Sequence, residues 1–125
     1  MRQTPAIAAA LALSLLLAGQ ARADGDAANG EKLFKLKCGM CHSATAGQNK
    51  VGPSLAGVFG RAAAMAPNYT YSTAMKNSGL TWDAATLDVY LTKPKDKVPG
   101  TKMTFVGLAK DSDRADIIAY LGTVK

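Results

Sequence analysis

Apolar side chains recur at helical spacing in three stretches of the chain, and no segment alternates convincingly like a strand. Within residues 26–37, Ala27, Gly30, Leu33 and Phe34 fall on one side, behind an aspartate, Asp26, placed to cap the first turn. A second helix is predicted from Thr81, with Leu87, Tyr90 and Leu91 as its later apolar face and Pro94 limiting it. A third begins near Ser112, where Ile117, Ile118 and Leu121 form a stripe ahead of Gly122. Shorter helical turns are expected around residues 72–77 and 94–97. The pattern predicts an all-α fold.

Between these elements the periodicity fails. Roughly thirty residues from His42 to Tyr71 are rich in Gly, Ala, Pro and Asn, and a second irregular stretch covers residues 97–107. Loops beyond about 12–15 residues are uncommon in compact domains unless they serve a ligand. Three modest helices lack the apolar surface to organise so much loop. Something other than side chains is therefore expected at the centre.

Composition changes this picture at the N-terminus. Of the 125 residues 48% are hydrophobic but only 6% aromatic, so the apolar weight is mostly alanine and leucine, much of it at one end. Arg2, the uncharged run 6–18 and Ala21-Arg22-Ala23 are the three parts of a secretory signal peptide, in order. The run is shorter than the roughly 20 residues a membrane-spanning helix needs. Residues 1–23 are expected to be a cleaved leader, leaving one domain over 24–125 in an exported, periplasmic protein without a stable membrane anchor. Lys and Arg number 15 against 9 acids, a formal charge of +6. Arg2 and Arg22 depart with the leader, which lowers the surplus to +4. Two cysteines and one histidine exclude Cys₄ and Cys₂His₂ zinc sites, multi-histidine centres and a multi-bridge disulfide scaffold. The length excludes a multidomain enzyme.

Those few residues are placed for one chemistry. Cys38-Gly39-Met40-Cys41-His42 is a C-x-x-C-H sequence. Each thiol can add across one vinyl group of haem, the two-residue gap matches the separation of the vinyls, and the adjacent histidine reaches the iron. This is the c-type haem attachment motif. A thiol–disulfide redox site wants a βαβ setting, which is not visible here. A zinc site would lack two ligands. A structural disulfide with an incidental histidine explains neither the long loops nor the missing core.

His42 is the only histidine, so the opposite axial position goes to another residue type or stays open. Methionine thioether leads. Met65, Met75 and Met103 are the candidates, since Met1 lies in the leader and Met40 inside the motif. Met65 falls in a small-residue loop and Met75 in a helical turn. Met103 follows Val98-Pro99-Gly100-Thr101-Lys102, where the Pro-Gly pair predicts a turn and an extended segment able to lay a side chain over a haem face.

Taken together these residues resemble a class I c-type cytochrome over essentially the whole of residues 24–125. The resemblance implies a small cytochrome c fold: three main helices, short helical turns and long loops wrapped around one covalent haem c, ligated by His42 and Met103. It implies that Gly30 and Phe34 pack on the C-terminal helix near Ile117 and Tyr120. Gly52 and Pro53 resemble the turn whose proline packs by the proximal histidine, the carbonyl preceding it bonding the imidazole. Phe59-Gly60-Arg61 resembles the segment whose arginine lies near a haem propionate. Tyr71 and Trp82 match side chains that bond the propionates, Tyr90 one near the methionine ligand, and Phe105 the aromatic at the haem edge. Pro99-Gly100-Thr101-Lys102-Met103 matches the methionine loop, so Thr101 joins the expected cofactor contacts. Met75 stands where many relatives carry an asparagine beside a propionate.

The function so implied is one-electron transfer in a respiratory or photosynthetic chain, by a monomer, without catalysis. With both axial positions filled, no site remains for substrate. A haem peroxidase or ligand sensor would need an open iron and a distal acid–base group, and no second histidine supplies one. Lys35, Lys37, Lys50, Lys93, Lys95, Lys97 and Lys102 fall on or near segments expected around the haem edge, and they suit an acidic docking surface. The resemblance suggests quinol–cytochrome c reductase as donor and cytochrome oxidase or a photosynthetic reaction centre as acceptor. No aromatic or Arg-rich stretch suits nucleic acid.

Overall fold

The structure, a computed structural model, describes residues 25–125; the leader expected over 1–23 lies outside the described residues. Among the described residues five helices follow one another: α1 (Ala27–Lys37), α2 (Thr73–Lys76), α3 (Ala84–Thr92), α4 (Pro94–Lys97) and α5 (Asp111–Leu121). Among the described residues the only β pairing is an isolated antiparallel bridge between Ala62 and Thr81. The fold is all-α.

Local chemistry explains each start. Asp26 stays extended and its carboxylate accepts from Ala28 N and Asn29 N at 2.9 and 3.1 Å, satisfying amides that the first turn leaves free. Ser72 caps α2 through Met75 N at 3.1 Å. The second main helix starts at Ala84, not Thr81. Thr81 is held in the bridge to Ala62, and Trp82 N donates to Arg61 O at 2.9 Å. Asp83 then caps, its carboxylate accepting from Thr86 N at 2.8 Å. Pro94 opens α4, where its missing N–H costs nothing. The last helix begins one residue before Ser112, with Asp111 and Asp113 in its first turn, where negative charge meets the positive end of the helix dipole.

The core is built on the crossing of α1 and α5. A Cβ on Gly30 would lie 1.9 Å from Asp116 O, so the two backbones touch only because that side chain is missing. Phe34 packs against Tyr120 with ring centroids 5.4 Å apart, beside Ile117 and Leu121, which are almost wholly buried. Each such burial stabilises by about 1.5–3 kcal/mol. Asp116 adds a polar clasp, accepting from Asp26 N and from Asn29 Nδ2 at 2.7 Å each.

α3 reaches α5 through Arg114, a buried cation that no sequence pattern singled out. Its Nε donates to Asp88 at 2.8 Å, its Nη1 to Leu108 O at 2.7 Å, and its Nη2 to Asp111. By contrast, no helix backbone packs closely on α2 among the described residues, although its Met75 joins the buried core.

Candidate haem site

Helix α1 delivers the attachment motif directly. Its last turn ends at Cys38, whose N–H donates to Phe34 O, and the chain then coils tightly. Cys41 N and His42 N both donate to Cys38 O, at 3.1 and 2.9 Å. Both thiols are free. Burial, and secondarily the neighbouring Cys41, push the Cys38 thiol up to about 11. Reactive C-x-x-C sites depend on a depressed thiol pKa. Cys38 has the opposite character and suits an uncharged thioether.

His42 is aimed by the loop that follows. Its Nδ1 lies 2.7 Å from the carbonyl oxygen of Pro53. As donor to that carbonyl, Nδ1 carries the proton and Nε2 is left as the ligating nitrogen. The bonding carbonyl is that of Pro53 itself, not the one before it. The preceding carbonyl, Gly52 O, is already taken by Lys50 N at 2.9 Å. Gly52 serves differently: a Cβ there would lie 2.3 Å from His42 Cε1, so the ring rests on bare backbone. Burial lowers the imidazole pKa, against the opposing pull of the Pro53 carbonyl. The ring is held neutral, the state a metal ligand needs.

Met103 is placed by the second irregular stretch. Pro99 and Gly100 are the central residues of a turn closed by Thr101 N to Val98 O at 3.0 Å. Gly100 has φ +86°, the value a type II turn requires at its third position. Thr101 Oγ1 accepts from Met103 N at 3.3 Å. Tyr90, on the buried face of α3, donates its hydroxyl to Met103 Sδ at 3.5 Å. Burial raises the phenol pKa, so that proton stays. Trp82 packs against Tyr90 with centroids 4.8 Å apart and the rings tilted by 55°. Cys38, Tyr71, Met103 and Phe105 are partly buried against the core that contains Trp82, Tyr90 and Met75. Met65 is exposed in its loop.

Two polar groups tell what the interior is built to hold. Arg61 donates through Nη1 to Ala56 O at 3.2 Å, yet its Nε is buried with no partner among the described residues. An orphaned guanidinium nitrogen is costly unless an acceptor reaches it, and a carboxylate is the acceptor that fits best. Tyr71 accepts from Ala66 N at 3.0 Å, and its hydroxyl proton remains to be donated. These residues fit a haem, whose attachment needs two thiols and whose propionates need donors.

Sequence reasoning missed Asn49. Its Nδ2 donates to Pro67 O and Asn68 O at 3.0 and 3.2 Å, and its Oδ1 accepts from Ser54 N at 2.9 Å. It thus braces the histidine-bearing loop; its nearness to Gly52-Pro53 was the available signal. The lysines prove less uniform than their spacing suggested. Lys35 pairs with Glu31 at 2.7 Å and Lys93 with Asp96 at 3.6 Å. Lys50 donates to Gly39 O at 2.9 Å and Lys102 to Thr70 O.

The comparisons with known proteins agree with this site. The family described as "Cytochrome c" matches residues 27–125. The chain is 51% identical over 111 residues to cytochrome c2 of Rhodomicrobium vannielii, covering 88% of each. It is 55% identical over 102 residues to cytochrome c2 of Rhodoblastus acidophilus, covering 81% of this chain and 94% of that one. Cytochrome cH from Methylobacterium extorquens superposes with a TM-score of 0.74 at 52% identity, over 79% of this chain and 99% of its own. The chain belongs to the cytochrome c family, electron-transfer proteins that carry haem c covalently, here through Cys38 and Cys41.

Proposed function

We propose that the chain is an exported, periplasmic one-electron shuttle whose haem iron is ligated by His42 and Met103, working between membrane-bound redox complexes. The haem supplies a single iron that gains or loses one electron. Everything else falls to the protein. Pro53 orients His42, and Gly52 lets the ring lie against backbone. Arg61, Tyr71 and Trp82 are the donors assigned to the propionates, with Thr101 and Phe105 flanking the methionine side.

The observation that carries this reading is the hydroxyl of Tyr90 donating to Met103 Sδ, together with a histidine whose Nδ1 is already engaged. A buried donor spent on a thioether makes sense where the sulfur's electron pairs matter. With haem bound, donation from Tyr90 would weaken the Met103 thioether as a donor and so would favour the reduced iron, which prefers a soft ligand. Held by His42 and Met103, the iron would have no open position, which suits outer-sphere exchange.

Export rests on the leader-like residues 1–23, and no helix of the described residues is long and apolar enough to cross a membrane. The relatives named c2 come from bacteria, in keeping with a periplasmic assignment. The lysine surplus suits partners with acidic docking faces, of the reductase, oxidase or reaction-centre kind. Visible spectroscopy of the purified ferric protein tests the ligand set. A weak deep-red thioether-to-iron band is expected, lost in Met103→Ala and kept in Met65→Ala. A high-spin ferric spectrum in the unaltered protein would overturn it.

A further inference from the structure

The crossing of α1 and α5 leaves one residue no choice. Gly30 has to be glycine, since a Cβ there would lie 1.9 Å from Asp116 O and 2.9 Å from Tyr120 Cβ. The residue before it is Asn29. Asparagine followed by glycine is the pair most prone to deamidation, because no side chain shields the glycine nitrogen from the asparagine amide carbon. The packing of the terminal helices thus places a chemically labile pair at their own contact.

Two restraints hold that pair inert. Asn29 lies in the first turn of α1, and Gly30 N is committed to Asp26 O at 2.8 Å. Helical backbone angles also turn this nitrogen away from the side-chain carbon of the preceding residue. Asn29 Nδ2 meanwhile donates to Asp116 Oδ2 at 2.7 Å, and the other oxygen of that carboxylate accepts from Asp26 N at 2.7 Å. Both restraints must be released before the nitrogen can reach the amide carbon. Asn29 itself is exposed, so water and base already have access to it.

We propose that Asn29 is a latent deamidation site, locked while α1 and α5 are crossed and released when they part. In the reaction Gly30 N attacks Asn29 Cγ, the Cγ–Nδ2 bond breaks, ammonia leaves, and the Gly30 N–H proton passes to solvent base. Water then opens the cyclic imide at either carbonyl, giving aspartate or isoaspartate. Either product sets a second carboxylate against Asp116 where an amide donor stood, and isoaspartate also lengthens the backbone of the first turn. The two carboxylates repel, so the clasp does not reform. The change is irreversible and marks chains whose terminal helices have been apart.

The test is peptide mass spectrometry of the haem-loaded protein held in mildly alkaline buffer, following conversion of Asn29 to aspartate and isoaspartate. Unfolding the chain in urea should raise the rate about tenfold or more. Asp116→Ala, which removes both bonds to α1, should raise the native rate roughly three- to tenfold, the range for losing an exposed charge-assisted clasp. Asn77, exposed and followed by Ser78, should convert at an unchanged rate in the same sample. Asn29→Asp copies one product and should lower the urea midpoint. Adding Asp116→Asn, which again faces a donor with an acceptor, should recover most of the loss.

Conversion of Asn29 in the native protein as fast as in the unfolded chain overturns the proposal, as does an Asp116→Ala rate equal to that of the unaltered protein. Acceleration of Asn77 alongside Asn29 would assign the effect to general loosening and overturns the lock. An Asn29→Asp protein as stable as the unaltered one overturns the claim that the product keeps the clasp open. None of these outcomes depends on which residues ligate the iron.

Discussion

At the residue scale, the site depends on single atoms that are absent or aimed. Gly52→Ala would drive a Cβ to 2.3 Å from His42 Cε1. Backbone on one side and ring on the other leave no room to yield. The expected outcome is a displaced imidazole, with stability lowered by about 2 kcal/mol or more, measured by denaturant unfolding of the holoprotein. Tyr90→Phe removes the donor to Met103 Sδ and changes little volume. A hydrogen bond worth about 1 kcal/mol corresponds to a few tens of millivolts for one electron. Redox titration should show the potential lowered by that order, because the unrestrained thioether donates better to the oxidised iron. At this scale Cys38, Cys41 and His42 were legible, because adjacency in sequence is the attachment geometry. The Pro53 carbonyl was misassigned by one peptide, since which of two neighbouring carbonyls faces a ring depends on a turn that composition does not reveal.

At the element scale, the crossing of α1 and α5 carries the fold. Gly30→Ala would place a Cβ 1.9 Å from Asp116 O, forcing the helices apart. A loss of about 2–3 kcal/mol is expected by chemical denaturation, the cost of overpacking a closed interface. Asp116 offers a gentler probe. The Asn29 amide, and then the Asp26 N–H, hold its carboxyl below the ordinary range. A depressed carboxylate stabilises the fold above its unfolded pKa, near 3.9, and loses that contribution as pH falls through the lower folded value. Asp116→Ala should therefore cost about 1 kcal/mol at pH 7, a small figure because the pair is solvent-exposed. The deficit should shrink as pH falls below the unfolded pKa and through the lower folded value, as helix circular dichroism during urea unfolding would show. Helix interiors were readable from the 3.6-residue period, and Asp26 and Pro94 marked their ends correctly. Thr81 did not, because its backbone pairs with Ala62, 19 residues upstream.

At the scale of the whole molecule, the helices do not close a core by themselves. α1 and α5 cross from opposite ends of the domain, α3 meets α5 and its neighbour α4, and no helix backbone packs closely on α2 among the described residues. Arg61 keeps a buried nitrogen without a partner. The Cys38→Ala/Cys41→Ala chain, unable to hold haem covalently, is expected to lose its cooperative thermal transition and much of its helix signal. Full native helicity in that variant would count against the haem as part of the core. Docking belongs to this scale too. Lys35 and Lys93 are paired to acids, whereas Lys37, Lys95 and Lys97 lie in no ion pair among the described residues, and replacing Lys95 and Lys97 by Glu should slow electron transfer to an acidic partner. The effect should fade as salt rises.

The sequence alone determined what is covalent and what is periodic: the attachment motif, the helix interiors, the Pro-Gly turn ahead of Met103, and the excess of loop that demanded a central group. These follow from neighbours along the chain, whose spacing is set by bond geometry. Only the tertiary structure decided which carbonyl aims His42, that Arg114 bridges α3 and α5, that Asn49 braces the proximal loop, and that Lys102 reaches Thr70 O. Each of those joins residues far apart in sequence, and their meeting is a property of how the loops pack, which no local pattern encodes.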